Sequence, residues 1–149
     1  MKVGIRRQRR VPHPTESRVM FDTPTLLVVD DEGGICRACR RILKQAGFRV
    51  HVSRDARIGL GRAIAEDYSA ILLDIKMPEM DGFQFLEQLH KEKQDLPVVM
   101  MTGYPSIRIA ASVVRLGASD YITKPFTPEQ ITKSVRRMLA LGNEGRAPS

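Results

Sequence analysis

Cysteine is scarce in this chain: Cys36 and Cys39 are the only two, and they form a single C-x-x-C. A structural zinc site wants four ligands, and without a second pair that class is excluded. A redox pair would open a helix in a thioredoxin-like setting. Here the pair falls inside a periodic segment with Ile35, Cys39, Ile42 and Leu43 on one face. Cys39 therefore reads as small core filler and Cys36 as a flanking surface residue, in a reducing compartment such as the cytoplasm. No apolar run approaches the ~20 residues needed to span a bilayer. The basic N-terminus has no apolar segment behind it, so it is not a secretory signal. His13, His51 and His90 form no constellation. No serine sits in a nucleophile elbow and no glycine-rich phosphate loop is present, which removes two further routes to catalysis.

What is present is a chain of 149 residues, 42% hydrophobic and 28% charged, long enough for one soluble domain with one core. Its net charge of +7 is uneven. Residues 1–24 hold six basic residues (Lys2, Arg6, Arg7, Arg9, Arg10, Arg18) against Glu16 and Asp22, leaving the other 125 residues nearly balanced. The stretch 1–24 is expected to be a disordered basic arm. Met20 offers an alternative start.

Behind the arm, β-rich apolar runs alternate with helix-period segments. Strands are expected at Thr25–Asp30, Phe48–Ser53, Ser69–Asp74, Pro97–Thr102 and Ser119–Thr123. Helices are expected from Gly34 to Ala46, closed by Gly47, then from Asp55 to Glu66, Phe83 to Lys91, and up to Leu116, stopped by Gly117. The last begins at a capping box, Thr127–Gln130, with Pro128 at its first position and Ile131, Val135, Met138 and Leu139 on its inner face. The second strand alternates apolar and polar residues, as an edge strand does. The others are apolar on both faces, which demands helices on both sides. Five β-α units of this kind make an α/β, doubly wound (βα)5 parallel sheet. The domain is expected over 25–141, with a flexible tail at 142–149.

In such a sheet every strand ends at one edge, where ligands bind. The first strand ends in Asp30-Asp31-Glu32, the third in Asp74, the fourth in Thr102, and the fifth runs into Lys124-Pro125. Singly, each is an ordinary strand-end or helix-start residue. Together they are a coincidence of four strand ends. Clustered carboxylates need a hard cation, and sparse oxygen ligands suit Mg2+. A lysine aimed at the same cleft offers a point charge for a phosphoryl oxygen.

The segments "LLVVDDE", "ILLDIKMPEMDGF", "VVMMTGY" and "GASDYITKPF" resemble the receiver domain of bacterial two-component response regulators. The resemblance implies a flavodoxin-like fold with strand order 2-1-3-4-5. It implies Asp74 as phospho-acceptor, with Asp30, Asp31, Asp74 and the backbone carbonyl of Lys76 around Mg2+. Lys124 would contact the phosphoryl group, Thr102 would move to bind it, and Tyr121 would turn inward in concert. Lys124-Pro125 would be cis. Gly33-Gly34 is a departure that weakens the first helix, and Lys76 is a second, at the mouth of the site.

The implied function is a cytoplasmic phosphorylation switch rather than a turnover enzyme. Its donor would be a histidine kinase or a histidine phosphotransfer protein. Its output would be a downstream protein or a second copy of itself, bound through the fourth helix, fifth strand and fifth helix. Ile107, Ile109, Val113, Val114 and Leu116 in the fourth helix exceed what core packing needs. No DNA-binding domain is expected in the chain. Two rivals are a phosphatase of the haloacid dehalogenase type, disfavoured by Lys76 where that family has an acid, and a nucleic-acid binder working through the arm.

Overall fold

A computed structural model describes residues 23–146. The basic arm expected over 1–24 therefore lies almost wholly outside the described residues. Five strands, β1 (Thr25–Val29), β2 (Arg49–Ser53), β3 (Ala70–Asp74), β4 (Val98–Thr102) and β5 (Asp120–Thr123), form one parallel sheet in the order β2-β1-β3-β4-β5. Between and after them run α1 (Gly33–Gln45), α2 (Ala56–Ala65), α3 (Gly82–Glu92), α4 (Ile107–Arg115) and α5 (Pro128–Arg146). The fold is the expected one, with β2 at an edge.

Strand side chains alternate between the two faces, so β1 feeds two cores. Leu26 and Val28 join Leu72, Val99 and Met101 beneath α1 and α5, where Leu43, Ile131 and Val135 pack. Leu27 and Val29 join Ile71, Leu73 and Met100 beneath α2, α3 and α4, where Leu60, Phe85 and Leu89 pack. Each such fully buried aliphatic or aromatic side chain contributes about 1.5–3 kcal/mol from its removal from water. The packing is uneven. Every residue of β3 and β4 is buried, whereas β5 has none fully buried and α4 buries only Val113. Ile107 and Val114 stand 89% and 78% exposed, the apolar surplus expected of this helix.

Local signals explain the boundaries. Asp55 caps α2 by accepting from the Ile58 amide at 2.9 Å. Thr127 and Gln130 form the expected capping box, and Asp81 and Gln84 form another at the start of α3. Gly47 and Gly117 follow their helices with φ of +102° and +83°, the left-handed conformation glycine tolerates. Each expected strand runs one residue further than observed: Asp30, Ser69 and Ser119 still donate amide hydrogen bonds to neighbouring strands or their ends, whereas Phe48 donates back to the Leu43 carbonyl of α1 and Pro97 has no amide to donate. The last helix continues to Arg146, past the boundary expected at 141.

Cys36 requires a correction: it is buried, not a surface residue. The helix starts a residue early, at Gly33, and its first turn lies against the strand end. The Cys36 thiol donates to the Asp30 carbonyl at 3.2 Å. Burial raises its pKa, and burial pushes the Cys39 thiol to about 12. Both are free, protonated thiols of low reactivity.

Candidate metal centre at the carboxyl edge of the sheet

Asp30 follows β1 and Asp74 ends β3, and these strands pair directly. Asp31, next in the loop, completes a trio whose carboxylate oxygens lie within 4.8 Å of one another. Asp30 and Asp74 are buried, and Asp31 is half-buried. The donors are all hard oxygens. Asp30 Oδ1 accepts from the Glu32 amide at 2.9 Å, but Oδ2 is buried and accepts no hydrogen bond. The Lys124 ammonium lies 2.7 Å from that Oδ2, an ion pair lacking hydrogen-bond alignment. Three converging carboxylates, one with an oxygen that accepts no hydrogen bond, are the donor set a small hard cation fits.

Lys124 reaches the trio from beyond β5, donating to Asp74 Oδ1 at 3.1 Å and to Glu32 Oε1 at 3.0 Å. Its amide donates to the Thr102 carbonyl at 2.7 Å, and the Lys124-Pro125 peptide is cis as expected. Burial raises the pKa of Asp74 to about 6, with the Asp30 charge adding to the rise and Lys124 opposing it. Burial likewise raises Asp30. For Lys124 burial acts downward, but the carboxylates around it outweigh that and hold the ammonium charged.

Thr102 ends β4 at the same edge, buried, with its hydroxyl oxygen accepting from the Tyr104 amide at 3.0 Å. The hydroxyl proton remains available to a ligand. Lys76, two residues past Asp74, places its ammonium 4.9 Å from the centre of the Tyr104 ring, a cation–π contact at the rim. Tyr121 stands apart. It is half-buried against the core on the α2–α4 side, and among the described residues no hydrogen bond joins it to Thr102.

Three contributors escaped the sequence reading. Glu32 pairs with Lys124, as its place beside Asp30-Asp31 could have suggested. Gly82 opens α3 directly behind the central acid: a Cβ there would lie 2.5 Å from the Asp74 carbonyl oxygen and 2.8 Å from the Ile75 Cα. The M-D-G run carried that signal. Arg54 donates through Nε and Nη2 to the Asp31 carbonyl at 3.2 and 3.1 Å. Nothing in the local sequence marks that contact.

Comparison with known proteins places this arrangement in context. Residues 26–136 match the sequence profile of the response regulator receiver domain. The C4-dicarboxylate transport transcriptional regulatory protein DctD of Pseudomonas aeruginosa is 39% identical over 121 residues, covering 80% of this chain and 26% of that protein. The transcriptional regulatory protein SrrA of Staphylococcus aureus is 34% identical, covering 76% of this chain and 47% of that one. The chain thus spans between a quarter and a half of these relatives. Among solved structures, a CheY-like response regulator receiver domain protein from Methanospirillum hungatei superposes with a TM-score of 0.80 at 30% identity, covering 83% of this chain and 99% of that one. The chemotaxis protein CheY4 of Vibrio cholerae gives 0.75 at 28%, covering 78% and 99%.

Proposed function

The chain belongs to the response regulator receiver domain family, and from that membership we propose that Asp74 is its phospho-acceptor, charged by a histidine kinase or a histidine phosphotransfer protein. A carboxylate oxygen of Asp74 attacks phosphorus, the bond from phosphorus to the donor's imidazole nitrogen breaks, and an acyl phosphate remains. Asp31 and Asp74 would hold Mg2+ directly, Asp30 through water, and Lys76 through its carbonyl. When bound, the ion neutralises charge on the transferring group.

The protein's own groups do the rest. Lys124 takes a phosphoryl oxygen, and Thr102 donates its hydroxyl proton to another. Because Thr102 binds the group in only one loop arrangement, phosphorylation selects that arrangement. Tyr121 turns inward in concert, and α4, β5 and α5 change the surface they offer to a protein target or a second copy. The module modifies its own side chain rather than turning over a substrate. It works in the cytoplasm, where its two thiols stay reduced.

The observation that carries this reading is the trio of carboxylates within 4.8 Å, with Lys124 at 3.1 Å from Asp74. Beryllofluoride, a phosphoryl mimic, tests it. Mg2+-dependent NMR shifts are expected around Thr102 and Tyr121 and are expected to vanish in Asp74→Ala. Shifts that persist in that variant would end the proposal.

A further inference from the structure

We infer that Arg54, on the loop between β2 and α2, is a positioning residue that sets the acidic loop after β1 for metal binding. The inference rests on the receiver reading of the site.

That loop has little local support. Glu32 occupies the N-cap of α1 without a side-chain capping bond, no acidic residue lies in the first turn, and Gly33 and Gly34 add backbone freedom. Asp30 is tied down by its amide to the Ser53 carbonyl, and its Oδ1 by the Glu32 amide. Asp31 is different. Among the described residues no hydrogen bond or ion pair engages its carboxylate, and the fork from Arg54 to its carbonyl is the tie to another element.

The guanidinium comes from a fixed base. Ser53 Oγ donates to the Asp55 carbonyl at 3.0 Å and accepts from the Asp55 amide at 3.4 Å, and Asp55 caps α2. Arg54 is therefore held on both sides. Its path passes close over Gly33. A Cβ there would lie 3.1 Å from Arg54 Nη1 and 3.2 Å from Arg37 Nη1, so the glycine leaves room for the guanidinium to cross to Asp31.

Charge and position predict opposite outcomes. Arg54 is a cation beside a cation site, so its field alone opposes Mg2+, and its removal would tighten binding. If it instead fixes Asp31, removal weakens binding. Supports of metal ligands are typically worth about 10–100-fold in affinity.

The test is Mg2+ titration by calorimetry on the full chain, with amide hydrogen exchange at residues 31–34. Arg54→Ala is expected to weaken Mg2+ about tenfold and to speed exchange at the Glu32 amide. Arg54→Lys, with the charge but not the fork, recovers only part. Gly33→Ala keeps both charges and favours helix, yet crowds the guanidinium. It should shift both readouts the same way, less strongly, and add nothing to Arg54→Ala. Equal or tighter Mg2+ binding in Arg54→Ala, with unchanged exchange, overturns the inference. A wild-type chain that takes up no Mg2+ overturns the receiver chemistry instead, and the exchange measurement then decides the role of Arg54 alone.

Discussion

The ammonium of Lys124 lies 3.1 Å from a carboxylate oxygen of Asp74, although 50 residues separate them. The two meet because β3, β4 and β5 lie side by side and end at one edge. The same edge brings Asp30 to 2.7 Å from that ammonium. Burial there makes charge on Asp74 costly, and the consequences are measurable.

Replacing Asp74 by asparagine should stabilise the metal-free fold at pH 7 while abolishing phosphoryl acceptance. Asparagine keeps the shape and sheds the disfavoured charge, and Lys124 retains Asp30 and Glu32. The rise of Asp74 from 3.8 to about 6 sets a ceiling of about 3 kcal/mol on the gain. Chemical denaturation checks the stability, and a labelled phosphodonor checks the chemistry. A less stable metal-free variant would contradict this account.

The pH dependence follows from the same shift. The folded protein keeps a proton on Asp74 that the unfolded chain releases between pH 3.8 and about 6. This group's contribution to metal-free stability is therefore fully present below that window and lost as pH climbs through it. Mg2+ must displace that proton, so its apparent affinity should be level above pH 6 and fall up to about tenfold per pH unit below. Affinity unchanged down to pH 5 would disagree.

Two glycines should respond in opposite directions to alanine. Gly82→Ala drives a Cβ into the backbone at Asp74 and Ile75 and should cost at least about 2 kcal/mol. Gly61→Ala, within α2 and with nothing inside 4 Å, should gain about 0.5–1 kcal/mol. Denaturation midpoints of the pair decide it.

Ile107→Glu and Val114→Glu should leave stability within about 0.5 kcal/mol, since both side chains already face water. Binding to a partner, or self-association of the beryllofluoride-loaded chain, should drop sharply in the same variants. Retained binding would move the output surface elsewhere.

Iodoacetamide should modify Cys36 and Cys39 in the native chain far more slowly than in denaturant. Both thiols are buried and kept protonated. Mass spectrometry after timed labelling reads the difference.

Strand periodicity made the architecture legible, and acids at strand ends made the trio legible, because both depend on residue type in order along the chain. Cys36 was misplaced although the spacing was legible: it stands three residues before Cys39 and seven before Leu43, and such spacings share one helix face. Arg54 was invisible because its target is a carbonyl 23 residues away, and main-chain acceptors leave no trace in residue identity. Glu32 was read as part of the acidic run, but its pairing with Lys124 required the fifth strand's end to be in place.

The unequal packing of the sheet has a mechanical corollary. Asp74 ends a strand that is buried throughout and Asp30 follows its neighbour β1, so the reacting groups sit on an anvil that barely yields. Lys124 adjoins the thin flank, where the neighbouring helix buries Val113 fully and only partly covers Ile109 and Leu116. Movement there breaks few contacts, so a small input can reshape that side while the anvil stays still. Slow amide exchange in β1 and β3 beside fast exchange in α4 would be the signature of such a lopsided body.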